Sequence, residues 1–219
     1  TLLLLYTNKI SVIILTMDPD THHGFDTTFT KMVHSQANLT SYYKFNDVFS
    51  SEECKLIIGT FDNDRMETGT VFTDGTTVSP DRVSGVAWIP LNTTTEWIYD
   101  RMVKYMRFAN DTMFNFDVTS LHDRIQFTKY DGSVQGKYSR HMDIGADNIN
   151  GCRKLSSTIQ LSEPSAYTGG DFVIRDYDAA PKEMGTMCVF PSFLEHEVKP
   201  VLSGTRYSLV LWLYGPQFK

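Results

Sequence analysis

The sequence predicts a mainly β fold with flanking helices (α+β), and three features of the chain support that class. After residue 120, short runs alternate apolar and polar residues with a period of two, as strands with one buried face do. Turns that contain Gly, Pro or Asp separate these runs. Before them, two segments place apolar residues at helical spacing. Together these patterns indicate a sandwich or barrel of antiparallel strands with supporting N-terminal helices.

Residues 1–40 are predicted to form an arm of uncertain origin in front of a domain that spans residues 41–219. Residues 1–16 are largely apolar, but they do not form the unbroken run of about 18 apolar residues that a transmembrane helix needs. Neither a basic start nor a small-residue cleavage site marks a signal peptide. Three origins stay open: translated sequence upstream of a start near Met17, an added strand or packing arm, and a targeting segment.

Two helices are predicted at the start of the domain. The first runs to about Gly59, and Ser50 and Glu53 have the spacing of a capping box in front of it. The second runs from about Thr94 to Asn110, with Thr93 and Glu96 as its capping box. Its apolar residues fall on one face, which predicts that it supports a sheet. Residues 61–85, between the helices, are rich in turn residues.

The predicted strands are residues 124–130, 137–143, 154–161, 171–175, 186–190, 195–199 and 206–214. Three of them carry polar residues along one face and apolar residues along the other. A fully packed barrel would have an apolar interior, so polar faces indicate a cavity that holds water or a ligand. The polar faces comprise Gln126, Thr128 and Tyr130; Ser156, Thr158 and Gln160; and Arg206 with Ser208.

Composition limits the class of partner and the compartment. The chain has 219 residues, with 20 Lys and Arg against 26 Asp and Glu, for a net charge of -6. Without a basic excess to meet phosphates, neither a nucleic-acid partner nor a membrane partner is expected. Cys54, Cys152 and Cys188 are scattered and form no CxxC pair, so we expect reduced thiols and a cytoplasmic location.

Two histidines and an aspartate form a candidate metal site. Within the predicted strand 137–143, His141 and Asp143 are two residues apart and therefore share a face. His196, much later in the chain, completes a set of two histidines and one carboxylate. Such a set can hold Fe(II) and leave the opposite face open. Zinc uses similar ligands, so the set by itself leaves the metal open.

Arg206 is the residue that distinguishes an enzyme site from a simple metal site. It shares a strand face with Ser208, Val210 and Trp212, and this face is predicted to point into the barrel. Burying an unpaired guanidinium costs several kcal/mol, which predicts an anionic partner for Arg206. The planar fork of arginine suits a carboxylate.

These residues lie in motifs that resemble those of the Fe(II)- and 2-oxoglutarate-dependent dioxygenases, in their prolyl 4-hydroxylase-like branch of bacterial and phage type. The motifs are QFTKYDG, GKYSRHMDIG, YTGGDF, PSFLEHEV and TRYSLVLWLYGP, and the resemblance extends from about Ser41 to Lys219. It implies a double-stranded β-helix, the jelly-roll or cupin-like fold. It also implies that His141, Asp143 and His196 are metal ligands and that Arg206 pairs with the distal carboxylate of 2-oxoglutarate. The implied cosubstrate pocket adds Tyr130, Thr158, Gln160, Ser208 and Trp212.

The implied activity is hydroxylation of an unactivated C–H bond, with release of succinate and CO2. Fe(II), 2-oxoglutarate, O2 and ascorbate as a reductant are the implied cofactors. Related halogenases replace the carboxylate ligand with a small residue, so Asp143 favours hydroxylation. Three hypotheses stay open: a hydroxylase of prolyl or other residues in a protein or peptide, the same chemistry on a free amino acid or small metabolite, and a non-enzymatic metal-binding jelly-roll module. Residues 61–85, 131–140 and 144–153 are expected near the mouth of the site. Neither the substrate nor the oligomeric state follows from the sequence.

Overall fold

The computed structural model describes residues 2–7, 10–15, 42–63, 66–69, 79–145, 149–175 and 179–218. The chain divides into two compact units, Thr1–Thr40 and Ser41–Lys219. In the first unit, β1 (Leu2–Thr7) and β2 (Ile10–Leu15) form an antiparallel pair. Residues 16–41 lie outside the described residues, so the origin of the arm stays a prediction. Among the described residues, no helix is long and apolar enough to cross a membrane.

The second unit is built mainly of antiparallel strands, with two helices, which confirms the predicted fold class. Its strands are β3 (Tyr43–Phe45), β4 (Glu67–Thr68), β5 (Arg82–Val83), β6 (Gly85–Ile89), β7 (Ile125–Asp131), β8 (Lys137–His141), β9 (Arg153–Gln160), β10 (Tyr167–Gly169), β11 (Phe172–Ile174), β12 (Met187–Pro191), β13 (His196–Val198) and β14 (Val201–Tyr214). Within the described parts of the chain, they form an eight-stranded sheet in the order β3-β12-β9-β14-β7-β6-β4, in which β10 also pairs with β14. A four-stranded sheet has the order β11-β13-β8-β5.

Two helices precede the main run of strands, as predicted. Helix α1 spans Ser51–Phe61, and its capping box is confirmed: Glu53 N donates to Ser50 Oγ at 3.2 Å and Ser50 N donates to Glu53 Oε2 at 2.9 Å. Helix α2 spans Glu96–Ala109 and continues as a π-helical turn over Asn110–Phe114. The capping box predicted for α2 is wrong. Thr95 precedes the helix, and its hydroxyl accepts from Asn92 N at 3.1 Å, so the residues before α2 form their own turn.

The main core lies where α1 and α2 cover one face of the large sheet. Met102 and Met106 of α2 are completely buried in the same cluster as Phe127, Ile159 and Leu209 of β7, β9 and β14. Fully burying such a side chain contributes about 1.5–3 kcal/mol. Because successive side chains of a strand alternate between faces, this core directs the polar residues of the same strands toward the other sheet.

The prediction of a turn-rich segment at residues 61–85 was incomplete. The segment contains β4 and β5, each of two residues, and β6 begins at Gly85. Strands of two residues carry too little alternation to be recognised in a sequence. β5 matters for the site because it pairs with β8 and forms an edge of the four-stranded sheet.

Candidate active site

His141, Asp143 and His196 converge on one point between the two sheets. His141 ends β8 and His196 begins β13, and the two residues are paired directly across these strands. Asp143 Oδ1 lies 3.6 Å from His141 Nε2, and Asp143 Oδ2 lies 3.4 Å from His196 Nε2. Ligand atoms of the three residues all lie within 4.8 Å of one another. Three atoms on one face of an ion, each about 2.1 Å from it, stand about 3 Å apart, so the set fits a metal ion after small shifts.

The route by which Asp143 reaches this point differs from the prediction. The predicted strand 137–143 ends at His141, so Asp143 lies beyond the ladder. Its position is fixed by a turn, in which the backbone N–H groups of Asp143 and Ile144 donate to the carbonyl of Ser192 at 3.0 and 3.2 Å. The placement of His141 and Asp143 together was right, but strand alternation is not its cause.

Both histidines are held in the tautomer that a metal ligand requires. His141 Nδ1 lies 2.8 Å from Ser139 O, and His196 Nδ1 lies 2.9 Å from Leu194 O. A carbonyl oxygen only accepts, so each Nδ1 carries the proton and each Nε2 presents its lone pair toward Asp143. Burial lowers the pKa of His196, although the Asp143 carboxylate opposes this shift. The neutral imidazole favoured by burial is the form that binds metals.

Asp143 is held as a carboxylate. It is buried, and burial alone raises its pKa. Electrostatic contacts with His196 and His141 and a 2.6 Å hydrogen bond from Ser156 Oγ outweigh this effect, so the pKa of Asp143 lies below its ordinary value. Arg153 Nη1 also donates to the main-chain carbonyl of Asp143 at 3.2 Å. A buried carboxylate beside the Nε2 atoms of two histidines forms a site that suits a cation.

A cavity of about 390 Å³ extends from these residues, and Arg206 lies in its wall. The side chain of Arg206 is buried, with 1% of the residue exposed. Its Nη1 donates to Ser208 Oγ at 3.4 Å, and its guanidinium carbon lies 5.3 Å from the centre of the Tyr130 ring. Neither Nε nor Nη2 has a hydrogen-bond partner among the residues that the structure describes. A buried guanidinium with two unpaired N–H donors suits a carboxylate ligand, whose oxygens would accept a hydrogen bond from each.

The other predicted pocket residues are partly brought together. Tyr130, Thr158, Ser208 and Trp212 line the cavity beside Arg206. Burial raises the pKa of Tyr130, which keeps its hydroxyl protonated as a donor. Gln160 is buried opposite Ser208 in the β9–β14 ladder but does not line the cavity. The role of each residue toward a cosubstrate stays a prediction.

Sequence reasoning missed Tyr138 and Arg153 because each lies beside an irregularity in the strand register. The β13–β8 register shifts between His196 and Val198, so Tyr138 shares the face of His141 although the two are three residues apart. The Tyr138 ring stacks on His141 with centroids 3.6 Å apart. The β14–β9 register shifts at Leu213, and Arg153 reaches the cavity with its guanidinium carbon 4.1 Å from the centre of the Trp212 ring. Strand alternation cannot anticipate a bulge.

Arg82 was missed for a different reason, since it lies in the segment predicted as turns. It belongs to β5, is buried, and lines the cavity. Its Nη2 donates to Gln126 Oε1 at 2.8 Å, and its guanidinium carbon lies 4.6 Å from the centre of the Tyr138 ring. No signal in the sequence marks Arg82.

Comparison with known proteins agrees with this geometry. The model of the 2OG-Fe(II) oxygenase superfamily matches residues 125–214, the segment that carries the metal set and Arg206. A PKHD-type hydroxylase from Delftia acidovorans is 31% identical over 98 residues, which are 41% of this chain and 42% of that protein. The chain therefore spans less than half the length of this curated relative.

Solved structures resemble a larger part of the chain. A prolyl-4-hydroxylase from Pseudomonas putida matches with a TM-score of 0.62 and 18% identity, covering 81% of this chain and 94% of that one. A prolyl hydroxylase from Trichoplax adhaerens, in complex with a peptide fragment of a hypoxia inducible factor oxygen degradation domain, matches with a TM-score of 0.65 and 19% identity, covering 85% and 89%. At these identities the structures bear on the fold, and they confirm the predicted prolyl 4-hydroxylase-like β-helix.

Proposed function

We propose that this chain, whose residues 125–214 match the model of the 2OG-Fe(II) oxygenase superfamily, is an Fe(II)- and 2-oxoglutarate-dependent hydroxylase. One observation carries the proposal: two Nε2 lone pairs and a buried carboxylate meet in a cavity that also contains a buried guanidinium with two idle donors. A metal set alone would suit many proteins. A carboxylate-binding arginine in the same cavity is what a dicarboxylate cosubstrate requires.

Each residue then has a defined task. His141, Asp143 and His196 would hold Fe(II) beside the cavity that Arg206 lines. Arg206 binds the distal carboxylate of 2-oxoglutarate, and Tyr130 donates a hydrogen bond nearby. With Fe(II) and 2-oxoglutarate bound, the site supplies O2 activation coupled to decarboxylation, with succinate and CO2 as products. Because Asp143 occupies a ligand position, the outcome that we propose is hydroxylation rather than halogenation.

Apolar rings beside the metal set support an oxidation that excludes water. The Phe190 ring centroid lies 4.8 Å from that of His196, and the Phe172 centroid lies 5.8 Å from it. Both phenylalanines are buried and line the cavity. A dry wall next to the reacting centre suppresses side reactions and strengthens the electrostatic contacts of Arg206.

For the substrate, we propose a prolyl or other residue in a peptide or protein. The support comes from the similar proteins, which are a PKHD-type hydroxylase and two prolyl hydroxylases, one of them in complex with a peptide. A free amino acid or small metabolite is the other candidate within the same chemistry.

An anaerobic titration tests the chemistry first. Adding 2-oxoglutarate to the Fe(II) protein should produce a visible charge-transfer absorption, which reports bidentate chelation. His141→Ala should abolish it, whereas His122→Ala, which changes an exposed histidine outside the metal set, should retain it. Absence of the absorption in the wild-type protein, together with no succinate above the His141→Ala background in air, would leave only the metal-binding module.

Peptide arrays and free amino acids, offered in parallel and read by a gain of one oxygen in mass, then identify the substrate class. Hydroxylation of free proline or another small molecule in preference to every peptide would refute the peptide proposal and leave the hydroxylase proposal intact.

A further inference from the structure

A pair of buried serines, Ser156 and Ser192, contacts the carboxylate of the metal set. Both residues have no exposed surface. Ser156 Oγ lies 2.6 Å from Asp143 Oδ2 and 3.0 Å from Ser192 Oγ. Ser156 has one hydroxyl proton for these two contacts, and an ionised carboxylate can only accept. Ser156 therefore donates to Asp143 over the shorter contact, and the Ser192 hydroxyl lies within hydrogen-bond distance of Ser156 Oγ.

The turn that contains Ser192 also orients the second histidine. Leu194 N donates to Pro191 O at 3.0 Å, which closes a turn over residues 191–194. From this turn, the Ser192 carbonyl accepts the N–H groups of Asp143 and Ile144, and the Leu194 carbonyl accepts from His196 Nδ1 at 2.9 Å. One turn thus sets the backbone of Asp143, the ring of His196 and, through the serine pair, the carboxylate itself.

Packing alone gives no reason for a hydroxyl at residue 156. In the ladder, Ser156 lies opposite Phe190 on one side and opposite Trp212 on the other, so its immediate neighbours are large and apolar. A buried hydroxyl in such surroundings is unfavourable unless it is hydrogen-bonded. Its observed partners are Asp143 and Ser192, so the hydroxyl forms hydrogen bonds at the metal set and none that stabilise the sheet.

We infer that Ser156 and Ser192 are positioning residues that fix the carboxylate of Asp143 for metal binding. The inference rests on the proposed function only in taking Asp143 as a metal ligand. Hydrogen bonds that orient a ligand typically change metal affinity by about 10–100-fold when they are removed. Ser156, which touches the carboxylate, should have the larger effect. Ser192, one bond further away, should have a smaller effect in the same direction.

The test measures binding of Fe(II) alone by anaerobic calorimetry, without 2-oxoglutarate or substrate. Ser156→Ala should weaken binding by about 10–100-fold, because the carboxylate loses its fixed orientation while the side-chain volume barely changes. Ser192→Ala should weaken it by several-fold, and the double variant should lose less than the product of the two effects because the bonds form one chain. Ser156→Thr keeps the hydroxyl and should recover most of the affinity.

Ser162→Ala is the matched control. Ser162 is buried just beyond β9, donates to Thr205 O at 3.2 Å and accepts from Tyr207 N at 2.7 Å, away from the cavity. Its loss should lower thermal stability and leave Fe(II) affinity unchanged. If Ser156→Ala does not fold, Ser156→Cys replaces it and should also weaken Fe(II) binding, because the cysteine thiol is a weak donor. Ser192→Ala provides a second variant with the same expected direction.

The possible outcomes separate this inference from the proposed function. Wild-type affinity that depends on His141, together with unchanged affinity in Ser156→Ala or Ser156→Cys and in Ser192→Ala, would overturn the positioning role and leave the hydroxylase proposal standing. Equal loss of affinity in Ser162→Ala and Ser156→Ala would show a general loss of structure and would also overturn it. Wild-type protein without His141-dependent iron binding would remove both proposals.

Discussion

Replacing Arg206 with methionine should stabilise the protein in the absence of cosubstrate and should weaken 2-oxoglutarate binding. Both effects arise from the buried guanidinium, which is unfavourable without a ligand and favourable when a carboxylate binds it. Arg206 is 1% exposed, and its Nε and Nη2 have no partner among the described residues. The protein without a ligand therefore bears the cost of a buried cation that is only partly satisfied. Methionine has a similar length and no charge, so it removes that cost.

The magnitudes follow from the same contacts. Replacing buried ionic groups by apolar side chains of similar volume often stabilises a protein by about 1–4 kcal/mol. For a chain of this size, each kcal/mol raises the melting temperature by about 2–4 °C. In contrast, hydrogen bonds to charged groups contribute about 1.5–3 kcal/mol each. Loss of the two that Nε and Nη2 could form should weaken 2-oxoglutarate binding by about 10²–10⁴-fold.

Two assays decide the outcome. Calorimetric melting of the metal-free protein gives the stability, and the anaerobic charge-transfer titration gives the affinity for 2-oxoglutarate. Arg107→Met, which removes an exposed positive charge from α2, controls for net charge and should change neither. If Arg206→Met melts lower than wild type, Arg206 is a structural residue. If it binds 2-oxoglutarate within about threefold of wild type, the assignment of the distal carboxylate to Arg206 is wrong.

Three further predictions concern the rest of the domain. Ser50→Ala should lower the free energy of unfolding by about 0.5–2 kcal/mol because the capping box of α1 is lost, and no change in urea unfolding would contradict the cap. Burial raises the pKa of Asp62, but hydrogen bonds from Lys129 and Tyr207 outweigh it, so the pKa in the folded protein is lowered. The stability that the Asp62 carboxylate contributes is therefore present above about pH 4, its ordinary pKa, and is lost as the pH falls through the lowered pKa. Asp62→Asn should make the free energy of unfolding fall less steeply as the pH is lowered. An unchanged dependence of stability on pH in this variant would contradict the role of Asp62. Burial raises the pKa of Cys54 and of Cys188 to about 12, so roughly 10⁻⁴ of each thiol is ionised at pH 8. Iodoacetamide should leave both unmodified in the folded protein by mass spectrometry, and rapid labelling of either would contradict their burial.

The sequence predicts the parts of this fold that follow a regular period. Along β14, alternation correctly separates Leu209 and Leu211, which face the helices, from Arg206 and Ser208, which face the cavity. The burial of a core enforces this separation, because a slip of one residue would exchange the two faces. Regular alternation and a buried face are properties of the local sequence, so they can be read without a structure.

What the sequence could not predict depends on irregular backbone. Tyr138 and Arg153 lie beside register shifts, and Asp143 lies beyond the end of its strand. Arg82 belongs to a two-residue strand, which carries too little pattern to recognise. These positions depend on contacts with distant segments, such as the Ser192 carbonyl for Asp143, and such contacts have no local signature.

The region around Arg206 and the metal set are therefore positioned by different kinds of interaction. Arg206 and Ser208 lie on β14, whose register is fixed by the helix-covered core, so the end of the site proposed to bind a carboxylate depends on hydrophobic burial over many residues. The metal set depends instead on a few hydrogen bonds from single turns, because Asp143 and His196 are both oriented by carbonyls of residues 191–194. A core mutation spreads its effect over the whole sheet and should shift stability before it shifts metal geometry. A change of one hydroxyl at Ser156 leaves the core intact and acts directly on the carboxylate. For this reason, small polar substitutions around residues 191–194 test the chemistry of the site more cleanly than truncations in the core.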